Sequence, residues 1–258
     1  MKMFENVKLV ILDVDGVIRN SYRLVYEGSR HALAAAGLKY RAGQDDTAHM
    51  RMTGKYVYRP NGMKALFAIT KSGADLRGVM KRSDAERRID RLVARYVKPA
   101  DQRTLDSILE SYKKFYASPG AKKYVKTYPN AEKAMDMLRA AGLKLGVVSA
   151  AHRDSLGRDI IGRYSFDAMV GDEDVVNKKP HPEGLLKVMK KVGIGPKHTV
   201  FIGDSWSDIR AAKRATCMSI GVTTGLGLPS QLKKEHPDLM VKDLYEAAKR
   251  ILKDKGVA

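Results

Sequence analysis

A single cysteine, Cys217, stands among the 258 residues, which excludes an internal disulfide and suits a reducing cytoplasm. No apolar run approaches the ~20 residues that cross a bilayer. The first residues, Met1 to Lys8, mix charge with apolar side chains and lead directly into an apolar run, so a soluble, unprocessed cytoplasmic protein without a membrane partner is expected. Linkers rich in Pro, Gly or Ser, low-complexity tracts and internal repeats are also missing. Aromatic residues make up only 7%. They are not interleaved with basic residues as a base-stacking platform requires, and no recognised DNA- or RNA-binding motif is present. Acidic residues are the remaining scarcity: 29 Asp and Glu face 48 Lys and Arg, a net charge of +19.

That excess is unevenly placed. Residues 19–128 carry 24 Lys and Arg against 10 Asp and Glu, and the rest of the chain is close to balance. A basic field of this kind concentrates small anions such as phosphate esters, and equally attracts nucleic acid. Individual residues such as Arg87, Arg88, Arg91 and Arg95 also read simply as the solvated face of a helix. The same region is helical in pattern. Apolar spacing predicts helices over 22–36, ended by Gly37, and over 60–69. Ser83-Asp84-Ala85-Glu86 reads as a capping box before Ile89, Leu92, Val93 and Tyr96, and Asp101 heads a further helix. Ser118-Pro119-Gly120 reads as the exit from this insertion.

From Tyr128 onward helices alternate with short apolar runs, the pattern of a parallel sheet built from βαβ units. Helices are expected over 129–141, 154–161, 183–192 and near the C-terminus. Strands are expected over 143–148, near Met169, over 199–202 and over 218–222. A composition of 44% hydrophobic and 30% charged residues is globular, and 258 residues suit either one large domain or a core with one insertion. The expected fold is therefore α/β: a Rossmann-like three-layer core with a central parallel sheet, formed by residues 1–18 and 126–258, plus an all-helical cap domain over 19–125.

The candidate chemistry begins where Leu9-Val10-Ile11-Leu12 runs into Asp13-Val14-Asp15-Gly16. Two carboxylates two residues apart share one side of an extended chain, at the sheet edge where open α/β folds bind ligands. Taken alone, Asp-x-Asp-Gly is also an ordinary strand end and turn. Two further strands end in polar residues, Ser149 and Asp204 with Asp208, and Lys179 arrives from a loop. Carboxylates ~5 Å apart at an effective dielectric near 20 repel by roughly 3 kcal/mol, so such a gathering calls for a hard cation such as Mg²⁺ and for Lys179 beside Asp13.

In this order, Asp13-Val14-Asp15-Gly16, strand-end Ser149, Lys179-Pro180 and Gly203-Asp204-Ser205-Trp206-Ser207-Asp208 resemble the haloacid dehalogenase superfamily. The helical insertion between the first two motifs matches its helical-cap subfamily, which includes the phosphoglycolate phosphatase-like and β-phosphoglucomutase-like proteins. The resemblance implies a Mg²⁺-dependent phosphohydrolase acting on a small phosphorylated metabolite. Asp13 is then the nucleophile that forms an aspartyl-phosphate, and Asp15 the general acid and base. Lys179 stabilises the nucleophile and the transferring group. Phosphate contacts come from Ser149, Ala150, Gly16 and Lys179. The metal is held by Asp13, Asp204 and the main-chain carbonyl of Asp15, with Asp208 either a further ligand or only a helix cap.

Dehalogenation is not expected, because a halide leaving group needs no proton and Asp15 is present. Two alternatives stay open: phosphoryl transfer of the β-phosphoglucomutase type, and nucleic-acid binding by the basic cap with an inactive core. The expected state is a monomer or homodimer. Departures from the family pattern at Arg19-Asn20-Ser21 and Ala150-Ala151 bear on substrate contacts. The loop Met52–Gly62, with Lys55 and Arg59, reads either as a substrate-facing element or as a surface connection.

Overall fold

The apolar run Leu9–Leu12 forms strand β1, and all four of its side chains are fully buried. The computed structural model describes residues 2–51, 56, 59–80, 84–156, 164–225, 227 and 229–257. β1 lies between β4 (Lys144–Val148) and β6 (Thr199–Gly203), with Leu9 opposite both Lys144 and Thr199. β5 (Ala168–Val170) extends the sheet beyond β4. β7 (Met218–Val222) and β8 (Leu239–Val241) extend it beyond β6. All five pairings are parallel, in the order β5-β4-β1-β6-β7-β8. The chain winds outward from β1 in one direction and then in the other, which leaves a crevice at the carboxyl ends of the central strands.

Strand alternation explains why both sheet faces are covered. Val10 and Leu12 pack on one side with Leu145, Val147, Val200 and Ile202, against α7 (Ala131–Ala140) and α12 (Leu244–Lys255). Leu9 and Ile11 pack on the other with Phe201, against α9 (Glu183–Val192) and α10 (Trp206–Arg214). Each such buried side chain contributes about 1.5–3 kcal/mol. Short helices α8 (Arg153–Leu156) and α11 (Pro229–Lys234) complete this unit. The result is the three-layer α/β core with a central parallel sheet that the sequence pattern predicts.

The chain divides into two compact units, Met1–Asn20 with Lys126–Ala258, and Ser21–Val125. The second is built from α1 (Tyr22–Ala35), α2 (Gln44–Arg51), α3 (Arg59–Ser72), α4 (Leu76–Met80), α5 (Ala85–Tyr96) and α6 (Gln102–Ala117). Its own core joins Leu33, Met63, Leu66, Ile89, Ile108 and Tyr112. On α5 the stripe behaves as its spacing predicts: Ile89 is buried, Leu92 and Val93 pack against the same core, and Arg87, Arg91 and Arg95 are exposed. The N-cap of α5 is Asp84, with no side-chain capping bond, while Ser83 lies outside the described residues. Lys55 and the far half of the helix expected over 154–161 lie outside them too.

The sequence pattern does not announce β8 or the helices α2, α4 and α11, and two further features differ from it. The helix expected from Pro129 begins at Ala131, because Asn130 has a left-handed φ of 61° that a helix cannot include. A second, two-stranded sheet joins β2 (Arg19–Asn20) to β3 (Lys126–Thr127) in antiparallel fashion, where the core chain leaves for Ser21 and returns. Neither piece has a hydrophobic signature. Among the described residues, no helix is long and apolar enough to cross a membrane.

Candidate active site

Asp13 directly follows β1, and its N–H donates to the Ile202 carbonyl at 2.9 Å, so the β6 pairing continues into Asp13. Gly16 ends the segment with φ +95°, a conformation that side chains other than glycine rarely adopt. Asp204 and Asp208 follow β6, at its end and in the first turn of α10, and both are buried. One carboxylate oxygen from each of Asp13, Asp204 and Asp208 lies within 4.8 Å of the others.

Lys179 enters from the loop before α9, next to the cis Lys179–Pro180 peptide. Its Nζ is 3.0 Å from Asp13 Oδ1 and 2.7 Å from Asp208 Oδ1, and donates to the Val148 carbonyl at 3.4 Å. The Phe201 ring centroid lies 5.5 Å from the same ammonium, a distance at which a cation–π contact is favourable. Lys178 is exposed instead and pairs with Asp172 at 2.6 Å, so only one lysine of the Lys-Lys-Pro stretch reaches the carboxylates.

Burial pushes the Asp13 carboxyl up, against the pull of Lys179, and the charge of Asp208 raises it further. Burial alone favours neutral Lys179, but Asp13 and Asp208 more than offset it and hold the ammonium above the ordinary lysine range. Three carboxylates within 4.8 Å repel pairwise by roughly 3 kcal/mol at an effective dielectric near 20. Lys179 supplies one positive charge to that cluster. An all-oxygen, negatively charged donor set of this size fits a hard divalent cation. The backbone is shaped for it as well: a Cβ on Gly16 or Gly225 would overlap the Asp204 carboxylate. These glycines let two loops close on the cluster.

Asp208 serves two purposes at once. Its Oδ2 accepts from Ser205 N at 3.0 Å and from Ser205 Oγ at 2.5 Å, closing a capping box at the start of α10. Its Oδ1 faces Lys179 and the other carboxylates. The helix-cap reading is therefore correct for one oxygen, and the other remains turned to the cluster.

The structure brings Asp13, Asp204, Asp208 and Lys179 together, while the Asp15 carboxylate is committed elsewhere. Its side chain is 29% exposed and meets a buried guanidinium, with Arg19 Nε at 2.8 Å from Oδ1 and Nη2 at 3.3 Å from Oδ2. Ser149 is buried at the end of β4, and its Oγ accepts from Ala151 N at 3.1 Å. A hydroxyl that accepts one bond still carries a proton to donate. Ala150 between them is exposed. A recess of about 300 Å³, open to solvent, is lined by Ser149, Ala150, Lys179, Gly171, Asn177 and other residues.

Motif reading did not single out Arg19 as a partner of Asp15, nor the loop after β7. There, Thr224 Oγ1 donates to the Gly16 carbonyl at 2.7 Å, and Tyr128 Oη donates to the Thr224 carbonyl at 2.7 Å. The available signals were the charged Arg19 inside an apolar strand approach and the Gly225-x-Gly227 spacing.

Comparison with known proteins gives a consistent result. A family profile described as haloacid dehalogenase-like hydrolase matches residues 10–222. The phosphoglycolate phosphatase of Salmonella typhi is 30% identical over 249 residues, covering 93% of this chain and 90% of the relative. That of Shigella boydii serotype 4 (strain Sb227) is 29% identical over 250 residues, covering 95% and 93%. The crystal structure of a predicted phosphoglycolate phosphatase from Haemophilus somnus 129pt superimposes with a TM-score of 0.70 at 22% identity, covering 95% of this chain and 97% of that one.

Proposed function

The chain belongs to the haloacid dehalogenase-like hydrolases, and we propose that within this family it is a cytoplasmic, Mg²⁺-dependent phosphatase that cleaves a small phosphate monoester through an aspartyl-phosphate on Asp13. The observation that carries this reading is the placement of Asp13 at the end of the central strand, 3.0 Å from the Lys179 ammonium and inside a three-carboxylate cluster. The names of the relatives supply the first substrate to try, phosphoglycolate.

In this reading an Asp13 oxygen attacks phosphorus, the bond to the leaving oxygen breaks, and Asp15 gives that oxygen a proton. Water then attacks the aspartyl-phosphate while Asp15 takes its proton, and the Asp13 carboxylate is regenerated. Lys179 lies where it offsets charge on Asp13 and on a transferring phosphoryl group. The Ser149 hydroxyl and the N–H of Ala150 are the proposed phosphate donors, with Gly16 allowing close approach. Asp13, Asp204, the Asp15 carbonyl and Asp208 are the groups that would hold Mg²⁺, which when bound supplies positive charge toward the phosphoryl oxygens.

The test is phosphate release from phosphoglycolate and a panel of phosphorylated metabolites by purified protein with Mg²⁺. Turnover of at least one ester, abolished in Asp13→Asn, is expected. Equal turnover by wild type and Asp13→Asn overturns the reading.

A further inference from the structure

Arg19 has the largest side chain of the fully buried residues described, at 2% exposure, and lies close in sequence to Val14, Val17 and Ile18, which are fully buried and apolar. Its backbone is fixed by a bond from its own N–H to the Val14 carbonyl at 3.0 Å and by one from Gly16 N to its carbonyl at 2.8 Å. Both chelating bonds of the side chain go to the Asp15 carboxylate, Nε to Oδ1 at 2.8 Å and Nη2 to Oδ2 at 3.3 Å. A guanidinium is permanently charged and presents a rigid planar fork, so two parallel bonds fix the plane of the carboxylate as well as its position. A carboxylate offers about four lone-pair sites. The fork takes one on each oxygen.

We propose that Arg19 is a positioning residue for proton transfer: it holds Asp15 in the single orientation from which it protonates the leaving oxygen and later deprotonates water. This rests on the reading of Asp15 as general acid and base. In the first step the electron pair of the breaking P–O bond goes to the leaving oxygen, which takes the Asp15 proton. In the second, water loses a proton to Asp15 as its oxygen bonds to phosphorus and the Asp13 carboxylate departs. Both transfers use the same carboxyl at opposite ends of the cycle, so one fixed plane serves both. The competing account is that Asp15 merely neutralises a buried arginine. That account predicts a loss of folded protein on substitution, with no dependence on the leaving group.

The experiment is kcat/KM, which reports events up to leaving-group departure, measured across substituted phenyl phosphates from dinitrophenyl to unsubstituted phenyl. Good leaving groups need little protonation. Arg19→Met should lower phenyl phosphate turnover at least about tenfold more than dinitrophenyl phosphate turnover, and Arg19→Lys, which keeps the charge but loses the fork, should fall between Arg19→Met and wild type. In an Asp15→Asn background, Arg19→Met should change either rate by less than about twofold, because the group it positions is gone. If Arg19→Met does not accumulate as folded protein, Arg19→Lys carries the same comparison. A uniform fall across the series, or an undiminished effect in the Asp15→Asn background, overturns the inference. Asp15→Asn measured alone separates the two failures. If its rates also fall uniformly, the acid–base reading of Asp15 is itself wrong, whereas a steep Asp15→Asn series beside a flat Arg19→Met series overturns only the role of Arg19.

Discussion

The Lys179 ammonium lies 2.7 Å from an oxygen of Asp208, a residue with no exposed side-chain surface, and so is closer to it than to Asp13 at 3.0 Å. Lys179 thus binds the helix after β6 to the end of β1, and stability and chemistry meet in one side chain.

Replacing Lys179 with Met should therefore affect both. Two buried carboxylates lose their ammonium, a change that costs about 3–5 kcal/mol when one member of a buried pair is removed. Urea unfolding in chelator should show this loss, and phosphatase turnover should fall by about a thousandfold or more. A variant as stable as wild type would show that the pairs contribute nothing net.

Removal of metal should be visible without any assay of turnover. A cation bound only by the folded protein and present at a hundred times its dissociation constant adds about 2.7 kcal/mol of stability. Mg²⁺ should raise the unfolding midpoint relative to chelator in wild type, and the increment should shrink in Asp204→Asn. Turnover in chelator equal to that in Mg²⁺ would contradict the metal role.

Gly225→Ala tests how the Asp204 carboxylate is held. The added methyl would overlap it, so Asp204 or the loop after β7 must shift, and metal affinity should fall by about 10- to 100-fold, as for other supporting contacts of metal ligands. Isothermal titration with Mn²⁺ measures this directly. Unchanged affinity would mean that the loop yields at no cost to the site.

Cys217 offers a pH-dependent effect with a defined sign. Burial pushes its thiol from an ordinary 9.0 up to about 12, so native protein should react with thiol reagents near neutral pH only on unfolding. Above pH 9 the unfolded chain loses this proton first, and the folded state therefore loses stability as pH rises toward 12. The stability difference between wild type and Cys217→Ala should shift against wild type over that window. A difference independent of pH would show that the thiol is not desolvated.

The carboxylate cluster was legible in the sequence because Asp13 and Asp204 directly follow buried apolar strands, Asp208 lies one helical turn beyond Asp204, and parallel order sends those strand ends to one edge. The Lys179-Pro180 pair was legible only through its resemblance to the family's Lys-Pro motif, since Lys178 beside it carries the same charge. Arg19 was not. A buried arginine has no pattern of its own, since its burial depends on a partner four residues earlier that motif reading assigns wholly to catalysis. The two-residue strands β2 and β3 were hidden because backbone pairing alone makes them. The approach of Gly225 to Asp204 was hidden by the 20 intervening positions. Asn130 shows the limit of local pattern from another direction: apolar spacing extends the following helix backward, and one left-handed residue stops it.

The pairing of Arg19 with Thr127 across β2 and β3 has an evolutionary consequence. Neighbouring residues of antiparallel strands stand about 5 Å apart, so the ends of the intervening 105-residue segment meet at a hairpin-sized gap. Any segment whose own ends lie equally close can be spliced in there without disturbing β1, and a two-residue turn can close the gap. The carboxylate cluster and the inserted helices can thus be inherited, exchanged and selected as separate modules.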